Sequence, residues 1–283
     1  MNVIETQRDV LSRLLSDDER DLVLRQGQFH QVVIGRERVV CFARTEAAAA
    51  RLPERAAVLR VLSRLDLGFR TPQPLDVGGT DCARYLVMSR IPGAPLEEEA
   101  LERPEVAAAV ARQFVDLLNG LAAAGLDAEV RAAIPSAPHG EWQEFAADVR
   151  SELFPLMSRS GQVRAERELA ALDSLPPLAS AVVHGDLGGE NVLWETSDGV
   201  PRLSGVIDWD EVSIGDPAED LAAIGASYGE AMLDHVLSLG GWGGADLVGR
   251  IAAVRGTFAL QQALSARRDG DEEELEDGLA GYR

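Results

Sequence analysis

The stretch from Val182 to Asp216 constrains this 283-residue chain more than any other. An apolar strand end, Ala181-Val182-Val183, stops at His184-Gly185-Asp186. A loop runs on to Asn191 and a short strand follows, Val192 to Trp194. Thr196-Ser197-Asp198-Gly199 is turn chemistry, because Gly and Asp tolerate the tight reversal. A second apolar strand, Leu203 to Ile207, ends at Asp208. Reversal near Gly199 sets Asn191 and Asp208 roughly opposite each other across an antiparallel pair, where Cβ atoms lie about 5 Å apart. Asp186 is then one loop away. Two carboxylates and an amide meeting at one strand end repel each other and lose hydration unless a cation joins them. A hard divalent ion bound by oxygen ligands removes that cost, and such a site recruits substrate phosphates as further ligands.

The pattern H-G-D-x-x-x-x-N followed by I-D-W resembles the kinase-like antibiotic phosphotransferases, the aminoglycoside and macrolide kinases, which share the protein-kinase fold. The resemblance implies an α+β, two-lobed architecture. Residues 1–90 would form a small β-rich nucleotide-binding lobe, and 91–283 a larger, mainly helical lobe for catalysis and substrate binding. By the same resemblance Asp186 is the catalytic aspartate facing the acceptor hydroxyl. Asn191 and Asp208 hold Mg²⁺ on the phosphates of GTP or ATP. His184 and Asp216, the latter in G-D-P, support the loop, and Asp220 lies one helical turn beyond Asp216.

Upstream, Thr6 to Asp17 reads as a short amphipathic helix. Arg25 to Gly35 reads as a strand, a bend at Gly27 and a second strand, and Val39 to Ala43 as a third. By position Gly27 resembles the nucleotide-covering loop. Kinase folds place a lysine on the third strand to hold the phosphates, but here that position is Cys41, a thiol that stays mostly neutral at pH 7. Arg44 is the nearest guanidinium in sequence and is the expected phosphate contact, although strand alternation puts it on the face opposite Cys41. Leu52 to Leu65 reads as a helix with Pro53 in its first turn, and Glu54 resembles the glutamate that pairs with the strand cation. Cys82 to Met88 reads as a buried strand. Met88 and Ile91 flank the hinge where a purine ring would meet main-chain groups. Helices dominate from Arg103 onwards, including single helices over Leu221–Leu239 and Asp246–Leu264, and the acidic run Asp269 to Glu276 reads as a solvated helix face or a fraying end.

Composition narrows the partners. The net charge is −20, and all 27 basic residues are arginine. Nucleic acid and anionic membrane both require cationic patches, so neither is expected as a partner; a cationic small molecule is. Two cysteines and four scattered histidines suit neither a disulfide scaffold nor a zinc site. The N-terminus lacks the shape of a signal peptide, and no uncharged apolar run reaches membrane-spanning length. A cytoplasmic, monomeric enzyme is expected.

The acceptor is read from the flanking text. GQFHQVVIG, AAAARLPERAAVLRVL and ELFPLMSRSGQVRAERELAAL look like the macrolide 2'-phosphotransferase branch. That likeness implies transfer to the desosamine 2'-hydroxyl of a macrolide, with GTP preferred. Asp216, Tyr228 and Phe258 are the expected substrate contacts. Ala222, Ile224, Met232, Val236 and Leu260 would supply apolar wall for a large ring. The alternatives are an aminoglycoside or other small-alcohol phosphotransferase of the same fold, and a kinase-like binding protein that has lost phosphate handling.

Overall fold

The computed structural model describes residues 3–27, 30–80, 83–138, 140–197 and 199–283. Gln28 and Phe29 beside the Gly27 bend, Cys82 at the head of the expected strand, His139, and Asp198 of the hairpin turn lie outside the described residues. Two short helices, α1 (Val3–Thr6) and α2 (Arg8–Leu14), lead into β1 (Val23–Gln26), β2 (His30–Ile34) and β3 (Arg38–Ala43). The helix α3 (Glu46–Leu62) and strands β4 (Pro74–Thr80) and β5 (Ala83–Ser89) follow. Next come α4 (Pro104–Ala124), α5 (Ala128–Ala133), α6 (Glu141–Asp148) and α7 (Arg159–Asp173). Four short strands carry the central motif: β6 (Ala181–Val183), β7 (Val192–Ser197), β8 (Val200–Val206) and β9 (Ser213–Gly215). Five helices complete the chain: α8 (Ala218–Tyr228), α9 (Glu230–Gly240), α10 (Ala245–Arg255), α11 (Phe258–Asp269) and α12 (Glu272–Leu279). The α+β class is as expected.

Contacts divide the chain into two compact units, and the division does not follow the expected 90/91 boundary. The first comprises Met1–Gly120, Asp127–Ile134 and Glu190–Glu211. Its five-stranded antiparallel sheet has the order β1-β2-β3-β5-β4, so β3 is central. The β7–β8 hairpin belongs to this unit because main-chain bonds tie it there. Arg70 N–H donates to Ser204 O at 3.1 Å, and Trp194 N–H to Ala94 O at 2.8 Å.

Helix α3 begins six residues before the expected start. Thr45 caps it, its hydroxyl accepting from Ala48 N–H at 3.1 Å. The cap and the alanine run Ala47–Ala50 favour helix strongly, so Pro53 falls in the interior with its ring exposed. Leu52, Ala56, Leu59 and Leu62 form the buried stripe.

The hairpin register also differs from expectation. Ser197 pairs with Val200, which centres the turn one residue earlier, and a bulge between Leu193 and Trp194 restores only part of the offset. Val192 therefore faces Val206. Ile207 N–H donates to Asn191 O at 2.9 Å, and Asp208 stands one residue past the position opposite Asn191.

The second unit comprises Leu121–Leu126, Pro135–Gly189 and Val212–Arg283. Its core joins Leu153, Leu169, Leu260, Leu279 and Tyr282. The end of the chain is therefore anchored: α12 buries Leu275 and Leu279 and presents its glutamates to solvent. Strands β6 and β9 pair antiparallel, Val182 opposite Ile214. A side chain at Gly125 would place its Cβ 2.7 Å from Ala181 Cα, so the glycine that ends α4 also lets that backbone approach. Residues 221–239 break into α8 and α9 at Gly229, whose φ of +82° a helix cannot continue through. Residues 246–264 divide at Gly256-Thr257. α4 averages apolar enough over 18 residues to pass for a membrane span, but Val106, Val110, Phe114, Leu117 and Leu121 are buried against protein.

Candidate active site

The loop after β6 is built entirely within the second unit up to Gly189. Gly185 takes φ +86°, a left-handed conformation that favours glycine and turns the chain sharply after His184. Asp186 N–H donates to His184 Nδ1 at 3.2 Å, and His184 is fully buried. The Asp186 residue itself is exposed.

Asp220, on the first turn of α8, fixes this loop. Its carboxylate accepts from His184 N–H at 3.0 Å and from Gly185 N–H at 3.1 Å while only 1% exposed. Burial raises its pKa, opposed by His184 and by the two N–H donors. The support expected of Asp216 thus falls to Asp220. Asp216 instead caps α8 through Ala218 N–H at 3.0 Å and accepts from Arg250 Nε at 2.6 Å. The physical reason is reach: α8 starts between the two aspartates, and its first turn aims Asp220, not Asp216, at the loop backbone. Gly189 N–H donates to Ser227 Oγ at 3.0 Å. The Tyr228 ring lies against Gly189, with Oη 3.5 Å from where a Cβ would stand. Neighbouring Glu219 has its pKa pushed up to about 8 by burial, with Asp220, Glu141 and Asp216 adding repulsion.

The first unit carries the second half of the motif. Asn191 ends a short 3₁₀ turn, Gly189–Asn191, and is 5% exposed. Asp208 adopts φ +61°, the one left-handed non-glycine among the described residues. Such a conformation costs about 1–2 kcal/mol outside glycine and tends to be kept where function over-determines it. Its side chain is 54% exposed. Two residues on, Asp210 Oδ1 meets Arg55 Nε at 2.5 Å, and Arg55 Nη2 lies 3.5 Å from Asp208 Oδ1. Arg55 Nη1 stands 3.4 Å from His30 Nδ1. Burial and the Arg55 charge lower the His30 pKa to about 4, so the imidazole is neutral at pH 7. Burial pushes the Cys41 thiol up to about 11, and the strand position that a lysine would occupy carries no charge.

An amide and a half-exposed carboxylate are hard oxygen donors, but they make only two ligands. Among the described residues no three His, Cys, Asp or Glu side chains cluster as an all-protein metal cage requires. The pair fits Mg²⁺, which commonly keeps waters and takes substrate phosphates to complete its shell.

Other expected contacts lie as follows. Arg44 is exposed and donates to Gly27 O at 2.8 Å, bringing two of the expected nucleotide residues together. Glu54 stands exposed on α3, and the charged residue of that helix which turns inward is its neighbour Arg55. Met88 and Ile91 are both 6% exposed. Tyr228 and Phe258 are partly buried. Ala222, Ile224, Met232, Val236 and Leu260 are core residues at 3% exposure or less and offer no wall to a ligand. Sequence reasoning missed Arg55, Asp210 and His30. For Arg55 the signal was present: it lies three residues after Leu52 and four before Leu59, on the buried stripe of α3.

Comparison with known proteins completes the assignment. Residues 9–247 match the phosphotransferase enzyme family. The chain is 71% identical over 287 residues to viomycin phosphotransferase of Streptomyces vinaceus, covering all of both sequences. Among solved structures it is similar to the GDP and kanamycin complex of APH(2")-IIia, with TM-score 0.81, 19% identity and coverage of 98% and 96% of the two chains. It is also similar to macrolide 2'-phosphotransferase type I, with TM-score 0.73, 25% identity and coverage of 100% and 98%. The identity to viomycin phosphotransferase overturns the macrolide expectation. The segments that suggested a macrolide are scaffold: among the described residues they form β2, α3 and the stretch from Glu152 into α7, which the fold requires whatever the acceptor. The chain belongs to the phosphotransferase enzyme family.

Proposed function

We propose that this protein is an antibiotic kinase that transfers the γ-phosphate of a purine nucleoside triphosphate to a hydroxyl of viomycin or a closely related peptide antibiotic. The observation that carries this reading is the 71% identity to viomycin phosphotransferase, which extends over the whole chain. The net charge of −20 suits an acceptor that is cationic.

Each residue has a stated task in this reading. Asp186, exposed on a loop whose backbone is held by buried Asp220 and His184, orients the acceptor hydroxyl and accepts its proton. Asn191 and Asp208 hold Mg²⁺, which when bound neutralises charge on the transferring phosphate. Met88 and Ile91 border the base, while Gly27 and Arg44 border the nucleotide. Tyr228 and Phe258 stay candidates for acceptor contact. Phosphoryl transfer asks mainly for positioning and charge neutralisation, and a rigid loop supplies the first. A cytoplasmic setting follows from the need for a nucleoside triphosphate.

The test is a matrix of ATP and GTP against viomycin, kanamycin and erythromycin, read by mass spectrometry of the antibiotic. Phosphorylation of viomycin with either nucleotide is expected, with neither of the others modified at comparable rate. Modification of kanamycin or erythromycin in preference to viomycin would refute the acceptor, and no modification of any would refute the kinase.

A further inference from the structure

We propose that Arg55 is the cation that binds the nucleotide phosphates, supplied by helix α3 where strand β3 offers only a thiol. This rests on the nucleotide-dependent kinase reading above and goes beyond it by naming the residue that replaces the strand lysine.

Four observations within the first unit carry the inference. Cys41 is 2% exposed, α3 packs on β3, and the Arg55 charge reaches the thiol, so the guanidinium occupies the neighbourhood that a strand cation would fill. The chain has no lysine at all, so a phosphate-binding cation must be an arginine. Arg55 is only 12% exposed at its side chain, and an arginine is drawn off the surface onto an apolar stripe only when fixed partners require it. Finally, its partners divide into a firm one and a loose one. Asp210 is one-quarter exposed and meets Nε at 2.5 Å, whereas Asp208, the expected metal ligand, is half exposed and stands 3.5 Å from Nη2. Asp210 therefore anchors the guanidinium, and Asp208 stays available.

The donor count agrees. A guanidinium carries five N–H donors. Arg55 Nε is buried and taken up by the short ion pair to Asp210, which leaves the terminal nitrogens for a ligand. The contacts of the terminal nitrogens to His30 and Asp208 are long. Terminal N–H groups so loosely engaged can take phosphate oxygens, which satisfy a planar guanidinium well, two bonds at a time. Arg44, the alternative, is exposed and already donates to Gly27 O. A purely structural Arg55, present only to neutralise Asp208 and Asp210, is the competing explanation.

Isothermal titration of ATP, GTP, adenosine and guanosine into the full-length protein separates the two, with no antibiotic present and with and without Mg²⁺. For R55Q the proposal predicts about 30-fold weaker triphosphate binding in both conditions, the equivalent of about 2 kcal/mol for charge-assisted bonds. Nucleoside affinity should stay within threefold of wild type. R55K keeps the charge and should retain triphosphate affinity within tenfold; it also serves if R55Q fails to fold. The double variant C41K/R55Q should recover most of the loss, by restoring a cation from the strand. R55Q binding triphosphate within threefold of wild type overturns the proposal, as does equal loss of nucleoside and triphosphate, or loss that follows R44Q instead. Wild-type protein that binds neither ATP nor GTP overturns the kinase reading itself and the proposal with it.

Discussion

Asp220→Ala is the sharpest test of how the catalytic loop is held. The carboxylate is 1% exposed and accepts two main-chain N–H groups, from His184 at 3.0 Å and Gly185 at 3.1 Å. Hydrogen bonds to a charged acceptor contribute about 1.5–3 kcal/mol each, and a buried donor left unpaired costs about 1–3 kcal/mol. Some of this is returned, because burial of the Asp220 carboxylate is itself unfavourable and raises its pKa. The net loss should be about 3–5 kcal/mol, a large share of the ~5–15 kcal/mol that holds a domain together. At about 2–4 °C per kcal/mol for a chain of this size, the melting temperature should fall by about 6–20 °C. Asp220→Asn keeps one acceptor oxygen and turns a donor towards the other N–H, so it should lose about 1–3 kcal/mol. Calorimetry gives the stability. Amide hydrogen exchange at His184 and Gly185 shows whether the loss is local, and both amides should exchange far faster in Asp220→Ala. A variant that melts within 2 °C of wild type, by the same scale, with both amides still protected, would show that the loop is held by something else.

Glu219 makes stability depend on pH in a stated direction. Its folded pKa, about 8, lies above the ordinary 4.5 of an unfolded glutamate. Between those values the unfolded chain has released a proton that the folded chain keeps, so stability falls as pH rises from about 4.5 to about 8. Glu219→Gln should therefore match wild type at pH 4 and melt several degrees higher at pH 8; a wild-type advantage at pH 8 would contradict the assignment. Gly93 takes φ +108°, and an added Cβ would stand 2.6 Å from Trp194 O. Gly93→Ala combines left-handed strain with a backbone clash and should cost about 3 kcal/mol or more, measured by urea titration; a loss under about 1 kcal/mol, the scale of an ordinary surface change, would mean that the loop moves freely.

Much of this molecule was legible in the residues. His184, Gly185, Asp186, Asn191 and Asp208 announced the family because their chemistry needs fixed spacing in one stretch of chain. Helix α3 was visible as an apolar stripe, but Pro53 misplaced its start: proline marks a first turn on average, and the Thr45 cap with four alanines outweighed it. The hairpin register slipped by one because Ser197 pairs with Val200, a turn one residue earlier than expected, and a bulge between Leu193 and Trp194, invisible in composition, recovers only half of that. Asp220 was noticed but given no task, since whether it or Asp216 reaches the loop depends on where α8 begins. Arg55 was hidden by its neighbour Glu54, which fits the family pattern in sequence yet faces solvent. The acceptor was misjudged because scaffold segments resemble one another across relatives of differing specificity.

The central claim is that Asp186 receives the acceptor's proton while Asn191 and Asp208 hold the metal. It is tested most directly by single-turnover transfer from γ-³²P-labelled nucleotide to viomycin, with nucleotide binding measured on the same samples. Asp186→Asn should lose label transfer by at least about 100-fold yet bind Mg²⁺-nucleotide as wild type does, whereas Asp208→Asn should lose both. Wild-type rates from Asp186→Asn, or label that never reaches viomycin in any sample, would contradict the account.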